Sequence, residues 1–276
     1  MASYFFLKHN IPIFPTAKNT ATVNSTKSPY VPINFVPYKV TSTGPKTPVT
    51  PDEPSNYSDS QYVTFSINTT SRTKEPNDEH VTIRLSPKAP QKVKITGWKI
   101  KSNYSGEDVT IPQATGWYYP GSQSFLEDVH LNPGETAYIS TGQSPIGVSF
   151  KTNLCSGYLE NYYDFYPSIP RYCPDIKSLA HFPDNPYYAS CWNTIESLSK
   201  CAVVPKLPAN IASDCAQFLT KNLNYKSCVD NFSSTQNFKG KDWRIYLGRS
   251  ETLWKTDRER IILLNSAGET VASYSN

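Results

Sequence analysis

The sequence predicts a mainly β protein, namely an antiparallel β-sandwich interrupted by a loop-rich, partly helical, cysteine-rich insert. The chain has 23 Pro and 19 Tyr but a single Met, a composition typical of short strands and turns rather than of a helical bundle. Polar and apolar residues alternate in many short stretches on both sides of residues 154–232, as in half-buried strands. All six cysteines lie inside that range, which we define as the insert.

Residues 1–60 are predicted to be a disordered tether in front of the sandwich. From Thr16 onward the segment is dominated by Pro, Thr, Ser, Asn and Lys and has few large apolar side chains. It cannot offset the conformational entropy that ordering removes, and its prolines favour extended backbone. The alternative is a remnant of faulty sequence assembly that has no role.

The predicted sandwich spans residues 61–276 and begins with two half-buried strands. Val63, Phe65 and Ile67 share one face of the first strand, and a polar turn precedes a second strand of the same pattern that begins at Val81. These strands supply the first apolar face of the core.

In the next apolar segment, the apolar residues change from odd-numbered to even-numbered positions in the middle. Val93 and Ile95 share one face, whereas Trp98 and Ile100 have the opposite parity, so we expect a β-bulge near Gly97 that turns all four toward the core. About eight or nine strands are expected in total, at the spacing of an antiparallel sandwich. The others are predicted at residues 108–111, 137–141 and 148–152 and, after the insert, around Trp243, around Ile261 and at residues 270–274.

The insert is predicted to contain two short helices. Apolar residues recur there at helical spacing in two runs, and the prolines between the runs interrupt helical structure. The first run contains Trp192, Ile195, Leu198 and Ala202, and the second contains Ile211, Cys215, Phe218 and Leu219.

We expect the six cysteines to form disulfides that stabilise the insert. An even count in a segment with little core of its own is typical of cross-linking, and each bridge contributes about 2 to 4 kcal/mol. The pairing stays open, because six cysteines allow about 15 connectivities. The disulfide candidates are Cys155, Cys173, Cys191, Cys201, Cys215 and Cys228.

A structural zinc site is the main alternative to disulfides. Such sites usually pair cysteines about two to four residues apart, and no two cysteines of this chain lie that close, while His181 is an isolated candidate ligand. For a cytosolic chain, Cys201 and Cys215 are buried free thiols on helix faces instead. Disulfides imply an oxidising compartment, so we expect an extracytoplasmic or cell-surface protein.

The charge and hydropathy patterns disfavour nucleic-acid and membrane-spanning classes. The net charge of +4 is spread without a long run of one sign, whereas nucleic-acid binding usually needs a clustered basic face. No stretch approaches the ~18 apolar residues of a membrane-spanning helix. Lys8, His9 and Asn10 interrupt the first apolar residues, so we expect no signal peptide here. Either the chain stays in the cytoplasm or its true N-terminus, with an anchor, is missing, and the cysteines favour the second alternative.

The sequence contains no motif that predicts catalysis. There is no P-loop, dinucleotide-binding, nucleophile-elbow, zinc-protease or EF-hand pattern. The histidines (His9, His80, His130 and His181) are scattered, and none has a nucleophile at a diagnostic spacing. We therefore expect no enzymatic activity, no cofactor and no metal.

Aromatic residues are dense in the insert and form a candidate ligand surface. Tyrosine and tryptophan are rigid and amphipathic, so they are common where proteins bind sugars or other proteins. The alternative is that they pack the insert against the sandwich. The candidates are Tyr158, Tyr162, Tyr163, Tyr166, Tyr188 and Trp192.

Several strings resemble the lamin-tail domain family over residues 79–276. Three of them are similar to its Gly-Trp strand, its Pro-Gly turn strand and its final hairpin: Ile95-Thr-Gly-Trp-Lys-Ile100, Leu131-Asn-Pro-Gly-Glu-Thr-Ala-Tyr-Ile139 and Ile262-Leu-Leu-Asn-Ser-Ala-Gly-Glu269. A closer resemblance, to uncharacterised bacterial lamin-tail-like proteins with a cysteine-rich insert, is carried by Ser144-Pro-Ile-Gly-Val-Ser-Phe150, Asn153-Leu-Cys-Ser-Gly-Tyr158 and Trp243-Arg-Ile-Tyr-Leu-Gly-Arg-Ser250.

The resemblance implies an immunoglobulin-like sandwich in an exported or membrane-tethered protein. This sequence departs from the family by lacking an N-terminal anchor and by having Thr256-Asp-Arg-Glu-Arg260 where a Gly-Asp pair usually enters the last strand. We expect a non-catalytic interaction or adhesion module whose partner is a protein or glycan at the cell surface. The alternatives are a carbohydrate-binding module that uses the insert aromatics and the non-catalytic part of an unrecognised enzyme.

Overall fold

The protein is mainly β, as the sequence predicts. A computed structural model describes residues 59–68, 75–204, 206–254 and 259–275. The predicted tether lies outside these ranges apart from its last two residues, as does most of the string at residues 256–260. Within the described ranges there are eleven strands and three α-helices.

The strands and helices have the following bounds. The strands are β1 Val63–Asn68, β2 His80–Leu85, β3 Val93–Lys94, β4 Lys99–Ser102, β5 Asp108–Thr110, β6 His130–Leu131, β7 Thr136–Ser140, β8 Phe150–Asn153, β9 Lys239–Tyr246, β10 Arg260–Leu264 and β11 Thr270–Ser275. The α-helices, all in the insert, are α1 Ala189–Ser197, α2 Ser213–Asn222 and α3 Tyr225–Phe232.

The strands form three sheets. A five-stranded sheet has the order β1-β2-β7-β9-β8, a four-stranded sheet has the order β11-β10-β4-β5, and β3 pairs with β6. The pair β7 and β9 is parallel, which the expectation of an antiparallel sandwich missed. A parallel pair needs a long connection, and here β8 and the whole insert lie between the two strands.

The two larger sheets bury their facing apolar side chains in one core, an arrangement consistent with a β-sandwich. Fully burying each such side chain stabilises the fold by about 1.5 to 3 kcal/mol. The five-stranded sheet contributes Phe65, Ile83, Ile139 and Ile245, and the four-stranded sheet contributes Ile100, Ile261 and Leu263.

The expected bulge near Gly97 is instead a corner between two sheets. Val93, Ile95, Trp98 and Ile100 are all buried, as predicted. They do not share one strand, however, because β3 pairs with β6 whereas β4 pairs with β5 and β10. Gly97 has a φ of +85°, a conformation that glycine adopts without the steric penalty of a side chain, so the chain turns there from one sheet to the next.

The insert contains one more α-helix than the sequence predicts. The expected first and second helices correspond to α1 and α2, although α1 ends at Ser197 rather than near Ala202. The additional helix, α3, buries Tyr225, Cys228 and Val229 on one face. Its apolar residues have helical spacing, but they occupy barely two turns between polar residues.

The prediction that the cysteines form disulfides is confirmed. Cys155 pairs with Cys228, Cys173 with Cys201 and Cys191 with Cys215, and the Cα–Cα separations are 5.7, 5.2 and 6.0 Å. No cysteine is free to ligate zinc. Three disulfides are typical of proteins that fold in an oxidising environment outside the cytoplasm.

Arg244 joins the insert to the outer face of the five-stranded sheet. Its neighbours Trp243 and Ile245 point into the core, so Arg244 points outward, yet its side chain is buried. Its guanidinium donates hydrogen bonds to the carbonyl oxygens of Pro167 and Ser168 and lies 4.5 Å from the ring centre of Tyr138. These contacts compensate a buried charge that has no ion pair within the described residues.

His80 lies under the same insert segment. Its ring is buried and packs edge-on against Tyr166, with 5.2 Å between ring centroids. Burial, together with the positive charge of Arg244, holds the pKa of His80 below its usual value. The folded state therefore favours neutral His80.

We expect His80 to destabilise the protein as the pH falls. The unfolded chain protonates this side chain near pH ~6.5, whereas the folded state resists protonation. The stability that neutral His80 contributes is therefore fully present above that pH. It is lost as the pH drops toward the lower pKa that His80 has in the folded state. Urea unfolding of the protein and of a His80→Gln variant from pH 8 to 5 measures the effect. The free-energy difference between them should change below pH ~6.5, and a constant difference would refute the assignment.

Candidate functional site

The six aromatic residues of the predicted ligand surface do not form one continuous surface. Tyr158 is buried in an apolar cluster with Phe150 and the Cys155–Cys228 disulfide. Tyr188 and Trp192 pack in a separate cluster around Phe182. The other three, Tyr162, Tyr163 and Tyr166, retain exposed rings, and Tyr162 is the most exposed of them at 61%.

A cleft of about 490 Å³ lies beside the loop between β5 and β6, and we call it the aromatic cleft. Trp117 is 46% exposed there and Phe125 is 79% exposed. Large aromatic side chains usually bury most of their surface, so two exposed rings in one concave site make this cleft a candidate binding surface. The cleft is lined by Thr115, Gly116, Trp117, Ser122, Gln123, Phe125, Glu127 and Lys239.

A tight turn gives the loop its shape between the two aromatic residues. The N–H of Ser122 donates to the carbonyl oxygen of Tyr119 at 3.2 Å across Pro120 and Gly121. Gly121 has a φ of +80°. Proline followed by a glycine of positive φ is the preferred centre of a type II turn, and the turn directs the chain back toward Phe125.

Helix α3 of the insert holds the loop in place. The hydroxyl of Tyr119 donates to Asp230 at 2.7 Å, and the hydroxyl of Tyr225 donates to the carbonyl oxygen of Tyr118 at 2.9 Å. Lys226 pairs with Asp230 at 2.8 Å and lies 5.1 Å from the ring centre of Tyr119. Hydrogen bonds from Lys226 and Tyr119 lower the pKa of Asp230, so its carboxylate stays charged and keeps accepting both.

Trp117 is positioned by its own turn and by one aromatic neighbour. The Thr115 hydroxyl donates to the carbonyl oxygen of Trp117 at 2.8 Å and accepts from its N–H at 3.3 Å. The indole ring lies 5.2 Å from the ring of Phe238, which is buried in the apolar cluster around the Cys155–Cys228 disulfide. One side of the indole is thus fixed while the remainder is accessible.

The cleft also presents one carboxylate and one ammonium group. Glu127 is fixed by two backbone hydrogen bonds with Ala114, of 3.1 and 2.9 Å. Its carboxylate lies over Gly116, where a Cβ atom would come within 2.0 Å of the Glu127 Oε1 atom, so the absence of a side chain at Gly116 makes room for it. Neither Glu127 nor Lys239 forms an ion pair within the described residues. Both are therefore free to bind a polar ligand.

Sequence reasoning did not identify this site. Trp117 belongs to a run of three aromatic residues that ends at Pro120, a pattern without strand or helix periodicity. That run was the available signal, because aromatic residues in a loop next to a Pro-Gly turn are often functional. The sequence of this run does not show which of its side chains are exposed, since Tyr118 packs inward while Trp117 does not.

The described part of the chain shows neither a histidine-based site nor a metal site. No histidine lines any of the five clefts found. No group of three or more His, Cys, Asp or Glu side chains is placed to hold a metal ion. None of the described helices has the length and apolar character needed to cross a bilayer.

Comparison with models of protein families and with curated proteins finds no match.

We expect a Tyr119→Phe substitution to loosen the loop without unfolding the protein. The change removes the hydrogen bond to Asp230 and keeps the ring. Hydrogen exchange followed by mass spectrometry should show faster amide exchange at residues 116–122 and unchanged exchange in the core strands. The matched control is Tyr187→Phe, which removes an exposed tyrosine hydroxyl outside the cleft. Unaltered exchange at residues 116–122 would mean that α3 does not hold the loop through this contact.

Proposed function

We propose that this protein is a non-catalytic saccharide-binding module that acts outside the cytoplasm, with the aromatic cleft as its binding site. The observation that carries the proposal is the pairing of exposed Trp117 and Phe125 with Glu127, Gln123 and Lys239 in one concave site.

The lining suits the two sides of a sugar ring. A pyranose has faces of C–H groups, which pack against an aromatic ring, and an edge of hydroxyls, which need hydrogen-bond partners. Trp117 and Phe125 provide apolar faces. The Glu127 carboxylate accepts hydrogen bonds, Lys239 donates them and Gln123 does both.

The same lining supports binding rather than hydrolysis. Glycoside hydrolysis usually needs two carboxyl groups flanking the scissile bond. Among the described residues that line the aromatic cleft, Glu127 is the one carboxylate. A single carboxylate is sufficient for orienting hydroxyls.

The three disulfides support a location at the cell surface. Bridges persist in oxidising compartments, where adhesion to glycans takes place.

We further propose that the β part is an immunoglobulin-like sandwich of the lamin-tail type. Two sheets packed over one core support this assignment. So do the positions of the resembling strings, since residues 95–100 form the corner with buried Trp98 and residues 262–269 include most of β10 and the turn into β11. Superposition of a crystal structure of this protein on lamin-tail domains would test the assignment.

Saccharide binding is expected to depend on the two exposed rings of the aromatic cleft. A glycan array identifies ligands of the intact protein, and calorimetry then measures the affinity of variants. Trp117→Ala and Phe125→Ala should each weaken binding by about tenfold or more, equivalent to ~1.4 kcal/mol, and Tyr187→Ala should leave it unchanged. Urea unfolding checks that all three variants fold.

The exposed insert tyrosines provide the competing site in the same experiment. A combined Tyr162→Ala, Tyr163→Ala and Tyr166→Ala variant should keep its affinity if the aromatic cleft is the site. Loss of binding in that variant alone would move the site to the insert, and an array on which no glycan binds would overturn the proposed function.

A further inference from the structure

A second cleft, of about 450 Å³, lies where the insert overhangs the outer face of the five-stranded sheet, and we call it the junction cleft. Ile169, Pro170 and Tyr172 of the insert line one side of it. Strands of the sheet provide Arg84, Asp242 and neighbouring residues. Clefts at such junctions are common ligand sites, because each part supplies different side chains to a preformed cavity.

The register of the sheet places the charges of the junction cleft near one another. Arg84 on β2 is opposite Thr136 on β7, and Thr136 is opposite Asp242 on β9. Adjacent strands are about 4.8 Å apart, so the backbones at Arg84 and Asp242 are separated by about 10 Å with the small Thr136 between them. The arrangement leaves a gap between a guanidinium and a carboxylate.

The charged side chains of the junction cleft lack protein partners in the described structure. Arg84, Lys241 and Asp242 form no ion pair, and none of their side chains makes a hydrogen bond there. Lysine and aspartate elsewhere do pair, as Lys99 does with Asp108 at 3.0 Å. Burial, together with the negative charge of Glu135, raises the pKa of Asp242, although the charges of Arg244 and Arg84 oppose this, so its carboxylate is partly desolvated. Arg84 and Lys241 are exposed to solvent, so both cations are accessible to a ligand that enters the cleft.

Tyr172 gives the junction cleft an aromatic surface. It is 71% exposed although it belongs to a segment whose neighbour Ile169 is buried. The cleft thus combines an accessible ring with cations, a carboxylate and the amide of Asn237.

Neighbouring residues at the start of β9 line the aromatic cleft and the junction cleft. Lys239 lines the aromatic cleft, whereas Asn237 and Lys241 line the junction cleft. At the usual rise of about 3.3 Å per residue, Lys239 and Lys241 lie about 7 Å apart along β9. The two clefts are therefore close enough to bind neighbouring residues of one extended chain.

We infer that the junction cleft binds a sugar that carries a carboxylate, so that the saccharide recognised by this protein is built of uronic acid residues. Arg84 and Lys241 bind the sugar carboxylate, Asp242 accepts hydrogen bonds from the ring hydroxyls, and Tyr172 packs against the ring. A uronic acid carries a carboxylate and hydroxyls together, which matches a cleft with groups of both signs. The inference rests on the proposed saccharide-binding function.

The test compares tetrasaccharides of uronic acids with their carboxyl-reduced, neutral counterparts by calorimetry. Oligogalacturonate and oligomannuronate fragments serve as the acidic probes. At least one acidic tetrasaccharide should bind the unmodified protein about tenfold more tightly than its reduced form, and added salt should diminish that preference. This comparison needs no variant, so it does not depend on how substitutions affect folding.

The variant Arg84→Gln with Lys241→Gln should lose the preference and retain the affinity for the neutral tetrasaccharide. A control of equal charge change, Lys88→Gln with Lys92→Gln, lies outside both clefts and should keep the preference. Equal binding of acidic and neutral forms by the unmodified protein would overturn the inference and leave the proposed function standing, as would an equal effect of both double variants. Failure of every tetrasaccharide to bind would overturn the inference alone if the glycan array shows binding of another saccharide, and would overturn both if the array shows none.

Discussion

The disulfide between Cys155 and Cys228 is the constraint on which the candidate site depends. Cys155 lies two residues after the end of β8 and Cys228 lies in helix α3, so the bridge joins positions that are 73 residues apart in the sequence. Because β8 and β9 are neighbours in the sheet, the insert leaves and re-enters the sandwich at one edge. The bridge closes the insert there and is buried with Phe150 in a cluster to which strand and insert both contribute.

The Cys155–Cys228 bridge fixes the position of the loop that contains Trp117. Helix α3 carries Cys228 on one face and contacts Tyr118 and Tyr119 through Tyr225, Lys226 and Asp230. The insert thus positions a loop of the sandwich. This explains how a segment with a small core of its own can determine the geometry of a site on another part of the chain.

The sequence predicts local structure well and long-range contacts poorly. Alternation identified β1, β2 and the buried face of β9, and the cysteine count indicated disulfides, because burial and cross-linking leave local patterns. The pairing of β7 with β9 and the contact of Tyr119 with Asp230 join residues far apart, the latter by 111 positions. No local pattern specifies which distant residue covers Tyr119 and leaves Trp117 exposed. The aromatic cleft is therefore visible only in the three-dimensional structure.

The most direct test of this account measures saccharide affinity in two disulfide variants, each confirmed as folded by circular dichroism. The Cys155→Ser, Cys228→Ser variant releases α3, whereas the Cys191→Ser, Cys215→Ser variant opens a bridge in the separate cluster between α1 and α2. We predict that the first loses most of its affinity and the second retains it. Equal affinity in both variants would contradict the dependence of the aromatic cleft on the bridge that holds α3.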